Sequence, residues 1–580
     1  MQILLQLCSF ERTNNKPIHY IEFIIELTIH FRILVLSAQV WLVLVVLNKM
    51  FLNRRAVIYA KRTIQARHDV ISAGPHPLLK LNMPGPAKKY FIAVMAFFQI
   101  LHSSAKDYPA SVFGIYSDGV TLNSRSIQFA IDYIHQQGGG RLVFDAGRFL
   151  TGSIHLKSNV TLHLLEGAVL LGALNPLDYD RKEFTALIFG HDQQNIAITG
   201  EGIIDGQGRQ VARNVADLVH KGLIKDAFRK DRPEVEIRPM LIYFRSCENI
   251  LIKGVTMRNA AAWVQCYDQC KNLSMDSITT ESRAFWNNDG VDILDCDSVA
   301  ITNSYLDVDD DGVCVKSLDV NKVCENIMIR NCTIRSSANA IKFGSASRGG
   351  FRNVRLINNK VYNTYRSAIA LETVDGGFIE NVEVDSLQVL NSGHAVFLRI
   401  GERVPGKRGR LENVHINHVS IEIAKNKADS GYEYEGPVED MPRNISPAVI
   451  IAGLPGALIT NVSFNNIALN HPGGGNPLFA KILLNELDSI PEKPSVYPDF
   501  SMFRELPAWG VYIRHARNIQ FTNVTLRCLK KDYRTAIVLD DVHHSEFVST
   551  DSREPGNKKF FYQHHCSGII FKTSKSGAGL

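Results

Sequence analysis

Three aspartates carry the clearest chemical signal in this sequence. Asp289 is followed about one repeat later by Asp310 and Asp311, within the stretch 287–317, NNDGVDILDCDSVAITNSYLDVDDDGVCVKS. Each acidic cluster stands immediately before a short run in which apolar residues alternate. Carboxylates at the mouth of one strand and again at the mouth of the next are what acid/base cleavage of a glycosidic bond needs, one protonated to release the leaving oxygen and another ionised to activate water. Asp and Asn beside Gly also close turns, but three acids at matching ends of adjacent strands are denser than turns require. Repulsion among neighbouring carboxylates raises at least one pKa, so such a cluster supplies an acid beside a base.

The elements that must position these acids recur along the chain. From Asn159 onward a phrase of Asn and alternating apolar residues returns as NVTLHL, NIAITG at 195, NILIKG at 249, NLSMDS at 272, SVAITN at 298, NIMIRN at 326, NVRLIN at 353 and NVEVDS at 381, and again at 413, 461 and 518. The central steps run from 23 to 28 residues. A period of that length built of short strands predicts an all-β solenoid, in which each coil needs a neighbour to pair its strand edges. The asparagines are expected to stack at equivalent turns. Aligning a second strand of successive coils, from GVDIL at 290 through GVCVK, AIKFG, AIALE, AVFLR, AVIIA and GVYIR to AIVLD at 536, gives an alternating column. Val291, Ile293, Val313, Val315, Ile341, Phe343, Ile369, Leu371, Val396, Leu398, Val511 and Ile513 form its inward stack. Asp292, Lys316, Lys342, Glu372, Arg399, Tyr512 and Arg514 form the opposite set, expected to line an outer face with both charge signs. Rungs about 4.8 Å apart bring Asp289 to the 310/311 pair.

Ahead of the repeats, Ile127, Ala130, Ile131 and Ile134 share one face of a predicted helix that stops at the glycines 138–140 and caps one end of the solenoid. Two insertions, 424–445 and 470–507, hold Gly, Pro and aromatic residues, among them Tyr497 and Phe503, and read as functional or partner-facing loops. Residues 1–105 differ from the rest. Lys88 and Lys89, the apolar run 91–101 and small residues up to Ala105 have the three-part form of a secretory signal peptide, with Met83 as the expected initiator and residues 1–82 an upstream extension. The competing reading makes the apolar run 33–47 a membrane anchor. Residues 106–575 are expected to be a single exported β-helix domain, and a monomer. Residues 1–105 carry eight excess positive charges against a chain total of +6, so the remainder is near −2 and offers no basic face for nucleic acid. Nine of the ten cysteines lie in that remainder without metal-type spacing and read as small buried residues.

These motifs resemble the family 28 glycoside hydrolases, the polygalacturonase family, from about Phe113 to Asp541. The resemblance is carried by FGIYSDGV, by QQGGGRLVFDAGRFLTGSIHLKSNVTLHLLEGAVLLG, by GEGIIDGQG at 200, by Asn287-Asn288-Asp289-Gly290 for the family's Asn-Thr-Asp-Gly, and by Asp309-Asp310-Asp311 for its Gly-Asp-Asp. It implies a right-handed parallel β-helix and single-displacement inversion on a pectic polysaccharide or oligosaccharide. Asp310 would be the general acid, and Asp289 and Asp311 would activate water across a carboxylate gap of roughly 6.5–9.5 Å. No metal or organic cofactor is implied. Two motifs depart. The Gly-His-Gly element falls on Ala338-Asn339-Ala340, and the Arg-Ile-Lys element falls on Ala370-Leu371-Glu372, which reverses charge where a uronate would be held. Replacement substrate contacts are expected from Lys342, His394 and Arg399, with Asn287, Asn339 and Trp286 in the same wall; Lys316 is expected to orient an acid, and Trp263 and Trp509 to offer stacking surfaces. The competing functions are a β-helix polysaccharide lyase with a Ca²⁺ nest of the same acids, and a non-catalytic glycan-binding or structural β-helix.

Overall fold

The structure, a computed structural model, describes residues 106–226, 232–429, 446–475, 477–479, 482–555 and 560–578. The expected signal peptide, the extension before it and most of the insertion 424–445 therefore lie outside the described residues. The described residues belong to one compact unit. Among them, no helix is long and apolar enough to cross a membrane.

Every strand pairs in parallel with its counterpart one coil away, which makes the chain a right-handed parallel β-helix. The inward column predicted from the sequence stacks without a slip: Val291, Val313, Ile341, Ile369, Val396, Val449, Val511 and Ile537 are successive partners. All are buried in one continuous core. A one-residue slip would turn every one of them outward, so the alternation itself fixes the register.

The turns explain the recurrent asparagines. Asn159, Asn195, Asn249, Asn272, Asn326, Asn353, Asn381, Asn413, Asn461 and Asn518 all adopt positive φ, which Asn tolerates because its short amide bonds locally. Their amides form a ladder along the solenoid, with steps such as Asn195 Nδ2 to Asn159 Oδ1 at 2.9 Å and Asn518 Nδ2 to Asn461 Oδ1 at 2.7 Å. The capping helix α1 spans Ser124–Gln136 and buries the four predicted residues. Its stop is steric: Gly139 has φ +119, and a Cβ there would meet the Asn159 carbonyl oxygen at 2.5 Å. A second helix, α2, Gly208–His220, was not anticipated, although Val211, Ala212, Val215 and Val219 have helical spacing and are buried. The nine described cysteines carry free thiols, eight of them buried, in agreement with the packing role expected of them.

The outward set is where expectation and structure part. It is not an open face. Leu487, Ile490, Met502, Phe503 and Leu506, from the insertion 470–507, pack on Ala370, Phe397, Ile450, Tyr512 and Val538, the outward residues of five successive rungs. At the other end Phe184, Val235 and Trp263 join Phe189, Tyr243, Cys266 and Leu294 in a second apolar cover. The second cover reaches Leu294 on the rung of Asp289, and the first begins at Ala370, two rungs beyond that of Asp310 and Asp311.

Candidate active site

The three acids sit at strand entrances. Asp289 precedes the strand Val291–Leu294, Asp310 and Asp311 precede Val313–Ser317, and Asn339 precedes Ile341–Ser347. Backbone bonds lock these entrances together: Gly290 N–H donates to Asp311 O at 2.9 Å and Gly312 N–H to Asn339 O at 2.8 Å. Asn288 holds the first turn from inside, accepting from Ser282 Oγ, Ala284 N and Phe285 N and donating to the Ala260 and Ala262 carbonyls. The result is a group in which Asp289, Asp310 and Asp311 each offer an oxygen within 4.8 Å of the other two. Their exposures are 4, 7 and 4 %, so the charges interact through little water.

Two lysines divide the charge states. Lys342 Nζ lies 3.2 Å from Asp311 Oδ2 and 2.6 Å from Tyr497 Oη, and Asn339 donates to Asp311 Oδ1 from its backbone N–H at 3.0 Å and from Nδ2 at 2.8 Å. Burial works to raise the Asp311 carboxyl, but the Lys342 ammonium and the Asn339 bonds outweigh it and hold it below its usual range. Lys316 instead pairs with Asp292, stands 3.5 Å from Asp289 Oδ2 and sits 3.7 Å above the Trp263 ring. Burial, with Asp292 and Asp310 nearby, pushes Asp289 well up, and Asp289 Oδ1 has no hydrogen-bond partner. Asp292 is raised by burial to about 7 despite Lys316. Asp311 is thus the carboxylate that its surroundings hold toward ionisation, and Asp289 the one they hold toward protonation. Both lysines remain cationic, since their acid partners overcome burial.

The other predicted residues divide into two sets. Asn287 and the half-buried Trp286 stand at the site: Asn287 Nδ2 is 3.5 Å from Asp310 Oδ2, and Asn287 Oδ1 accepts from Arg238 Nη2 at 2.8 Å. His394 and Arg399 do not join them. His394 is fully buried, bonded to Ser367 Oγ at 3.2 Å, beside Phe500, and burial lowers its pKa to about 3. Arg399 directs its guanidinium to the carbonyls of Ala452, Gly453, Glu492 and Lys493. Both are covered by the insertion, whose packing the column alignment could not include. Trp509 is also interior, its Nε1–H donating to Glu554 Oε2 at 3.1 Å, so it offers no stacking surface. Sequence reasoning missed Arg232, whose guanidinium lies 4.0 Å above the Trp286 ring, and Arg238, and it named Tyr497 only as an aromatic residue of the insertion. Asp292 and its lysine were visible in the outward column.

Glu372 requires a further correction. It is buried with Oε2 unpartnered, and burial raises its carboxyl to about 8 although Lys342 opposes this. It presents no negative charge to a uronate at neutral pH. Between the unfolded value near 4.3 and about 8, the folded state keeps a proton that the unfolded chain has released. Its contribution to stability is therefore fully present below about pH 4 and is lost as pH rises through that window, by up to about 1.4 kcal/mol per unit. Glu372→Gln should raise stability at pH 7.5 by about 1–2 kcal/mol and flatten the decline from pH 5 to 8. Urea midpoints across that range test this, and a destabilised variant would show an ionised Glu372 paired with Lys342.

The acid cluster has the donor types for a hard cation, but Lys342 and Lys316 already sit against Asp311 and Asp289 and compensate the charge that Ca²⁺ would meet. The short separation matters for water. Carboxylate oxygens up to 4.8 Å apart can both bond one water at about 2.7 Å per leg.

The chain is similar to known proteins. Residues 141–375 match the family model described as glycosyl hydrolases family 28. A Vitis vinifera protein named "Probable polygalacturonase" is 27% identical over 398 residues, covering 63% of this chain and 75% of that protein. An exo-poly-alpha-D-galacturonosidase of Dickeya chrysanthemi is 27% identical over 298 residues, which cover 43% of this chain and about half, 49%, of that protein. The structure of a family 28 exopolygalacturonase from Yersinia enterocolitica superposes with a TM-score of 0.58 at 19% identity, over 80% of this chain and 78% of that one, a likeness of fold. The three acids, Asn339, Lys342 and Glu372 fall inside the matched span; His394, Arg399 and the covering insertion lie beyond it.

Proposed function

Because the chain belongs to the glycosyl hydrolases of family 28, we propose that it is a hydrolase of a pectic polysaccharide or oligosaccharide acting by single-displacement inversion. The observation that carries this reading is the buried group of three carboxylates within 4.8 Å, two of them driven in opposite directions by their surroundings. Asp310 protonates the leaving oxygen. Asp311, kept ionised by Lys342 and Asn339, takes the proton of the attacking water. Asp289 shares that water and, its carboxyl pushed up by burial with Asp292 and Asp310 nearby, helps return a proton to the cluster after release. The separation suits a single bridging water, and a retaining route would need one of these acids to attack the sugar itself.

Trp286 with Arg232 against its ring, and Trp263 beneath Lys316, supply aromatic and cationic walls for a sugar acid. The insertion closes the outward face beyond Lys342, so a substrate would enter with its end against Tyr497, which favours action at chain ends. Two of the similar proteins are named for exo activity. Export of the chain and a monomeric state belong to the same reading.

A screen over defined pectic oligosaccharides, with the first-formed anomer followed by NMR, tests the proposal. Inverted, saturated product that forms equally with chelator present is the expected result. First-formed product of retained configuration would overturn the inverting assignment. An unsaturated product lost with chelator would instead establish the lyase.

A further inference from the structure

Two histidines and an aspartate converge where the insertion meets the last described coils, well away from the acid cluster in the chain. Asp488 lies in the short helical segment Leu484–Ser489, His564 ends the strand Phe561–His564, and His565 follows with φ +51. Each offers one ligand atom within 4.8 Å of the other two. Asp488 Oδ2 is 3.7 Å from His564 Nε2, and Asp488 Oδ1 is 3.5 Å from His565 Nε2. Both separations exceed a hydrogen bond. They approach the edge of about 3.3 Å between ligands around a tetrahedral ion with bonds of about 2.0–2.1 Å. The two imidazole rings lie 3.9 Å apart, close enough to share one cation.

A second observation comes from behind the site. His564 Nδ1 is 2.9 Å from Oδ1 of the buried Asp540, which Arg514 Nε holds in turn at 3.0 Å. With Nδ1–H donated to that carboxylate, Nε2 keeps its lone pair on the Asp488 side. This is the carboxylate–histidine arrangement that orients metal ligands and raises their basicity.

We propose that Asp488, His564 and His565 bind a divalent transition cation of the zinc type, with water completing its shell, and that the ion fastens the insertion to the C-terminal coils. Two imidazoles and one carboxylate select Zn²⁺ over Mg²⁺ or Ca²⁺, which prefer all-oxygen ligands.

The test is calorimetric titration of the whole protein with ZnCl₂ at pH 7.5, beside Asp488→Ala and His565→Ala. Both side chains are exposed, at 78 and 63 %, so the variants should keep the parent Tm without zinc. One equivalent of Zn²⁺ is expected on the parent, with affinity reduced about tenfold or more in either variant and on lowering the pH to 5.5, and no heat with MgCl₂. Zinc should also slow proteolysis within residues 482–506 severalfold in the parent and leave Asp488→Ala unchanged. A parent that binds no zinc overturns the proposal. So does zinc binding that is undiminished in both variants, which would place the ion on the catalytic acids or on the buried His471, Cys528 and Asp532.

Discussion

Asp310→Asn should lower turnover about a thousandfold while leaving the fold and KM nearly unchanged. The amide keeps the volume of the carboxyl and can still accept the Asp311 backbone N–H, which bonds Asp310 Oδ1 at 2.9 Å. It has no acidic proton for the leaving oxygen, and positioned acid catalysis contributes about 10²–10⁴ in rate. The pH profile supplies an independent check. Asp310 and Asp289 repel when both are ionised, so removing Asp310 should lower the Asp289 pKa and move the corresponding limb of the kcat profile toward acid. Initial rates from pH 4 to 8, with circular dichroism of the variant, measure both effects. Turnover within threefold of the parent would remove Asp310 from the acid role.

Lys342→Met should produce the largest combined loss of stability and activity. The lysine is buried between Asp311, Tyr497 and the raised Glu372. Methionine fills most of its volume but leaves the Asp311 carboxylate buried without a cation, and breaking a buried pair in this way costs about 3–5 kcal/mol. The sign with pH follows from the two shifts. Asp311 is lowered, so its contribution is present above the unfolded value near 3.9 and is lost as pH falls through the folded value. Lys342 is raised, so its contribution is present below the unfolded value near 10.4 and is lost as pH rises through the folded value. The difference between parent and variant should therefore be greatest from about pH 5 to 10 and shrink below about pH 4. Asp311 should also titrate upward, which removes the ionised base and lowers turnover at pH 5–6 most. Urea unfolding at several pH values, paired with rates, tests this. A stability difference that does not change with pH would show that Lys342 contributes packing alone.

The parts of the molecule written in short-range pattern were legible. Alternation fixed the strand column to the residue, because one slip would invert a whole face. The positive-φ turns selected Asn, and the acids before Val291 and Val313 fell together because consecutive rungs are adjacent in space. What the pattern could not show was the covering of the outward residues. Lys342 and Tyr497 are 155 positions apart, and the insertion that brings Tyr497 has no period to read. Arg399 and His394 consequently looked open, and Glu372 looked charged, when all three are enclosed. The helix Gly208–His220 was legible in principle from its apolar spacing, but it interrupts the repeat immediately after a strand phrase and was absorbed into it.

The insertion also changes how the solenoid holds together. A stack of coils behaves as a one-dimensional array in which each unit is coupled only to its neighbours, so that unfolding can begin at an end and advance rung by rung. Here one segment packs on Ala370, Phe397, Ile450, Tyr512 and Val538 at once, spanning five rungs. Loss of any one of those rungs disturbs a surface shared by the other four. This part of the array is thereby converted into a single cooperative block, with Lys342 and the buried acid cluster at its edge.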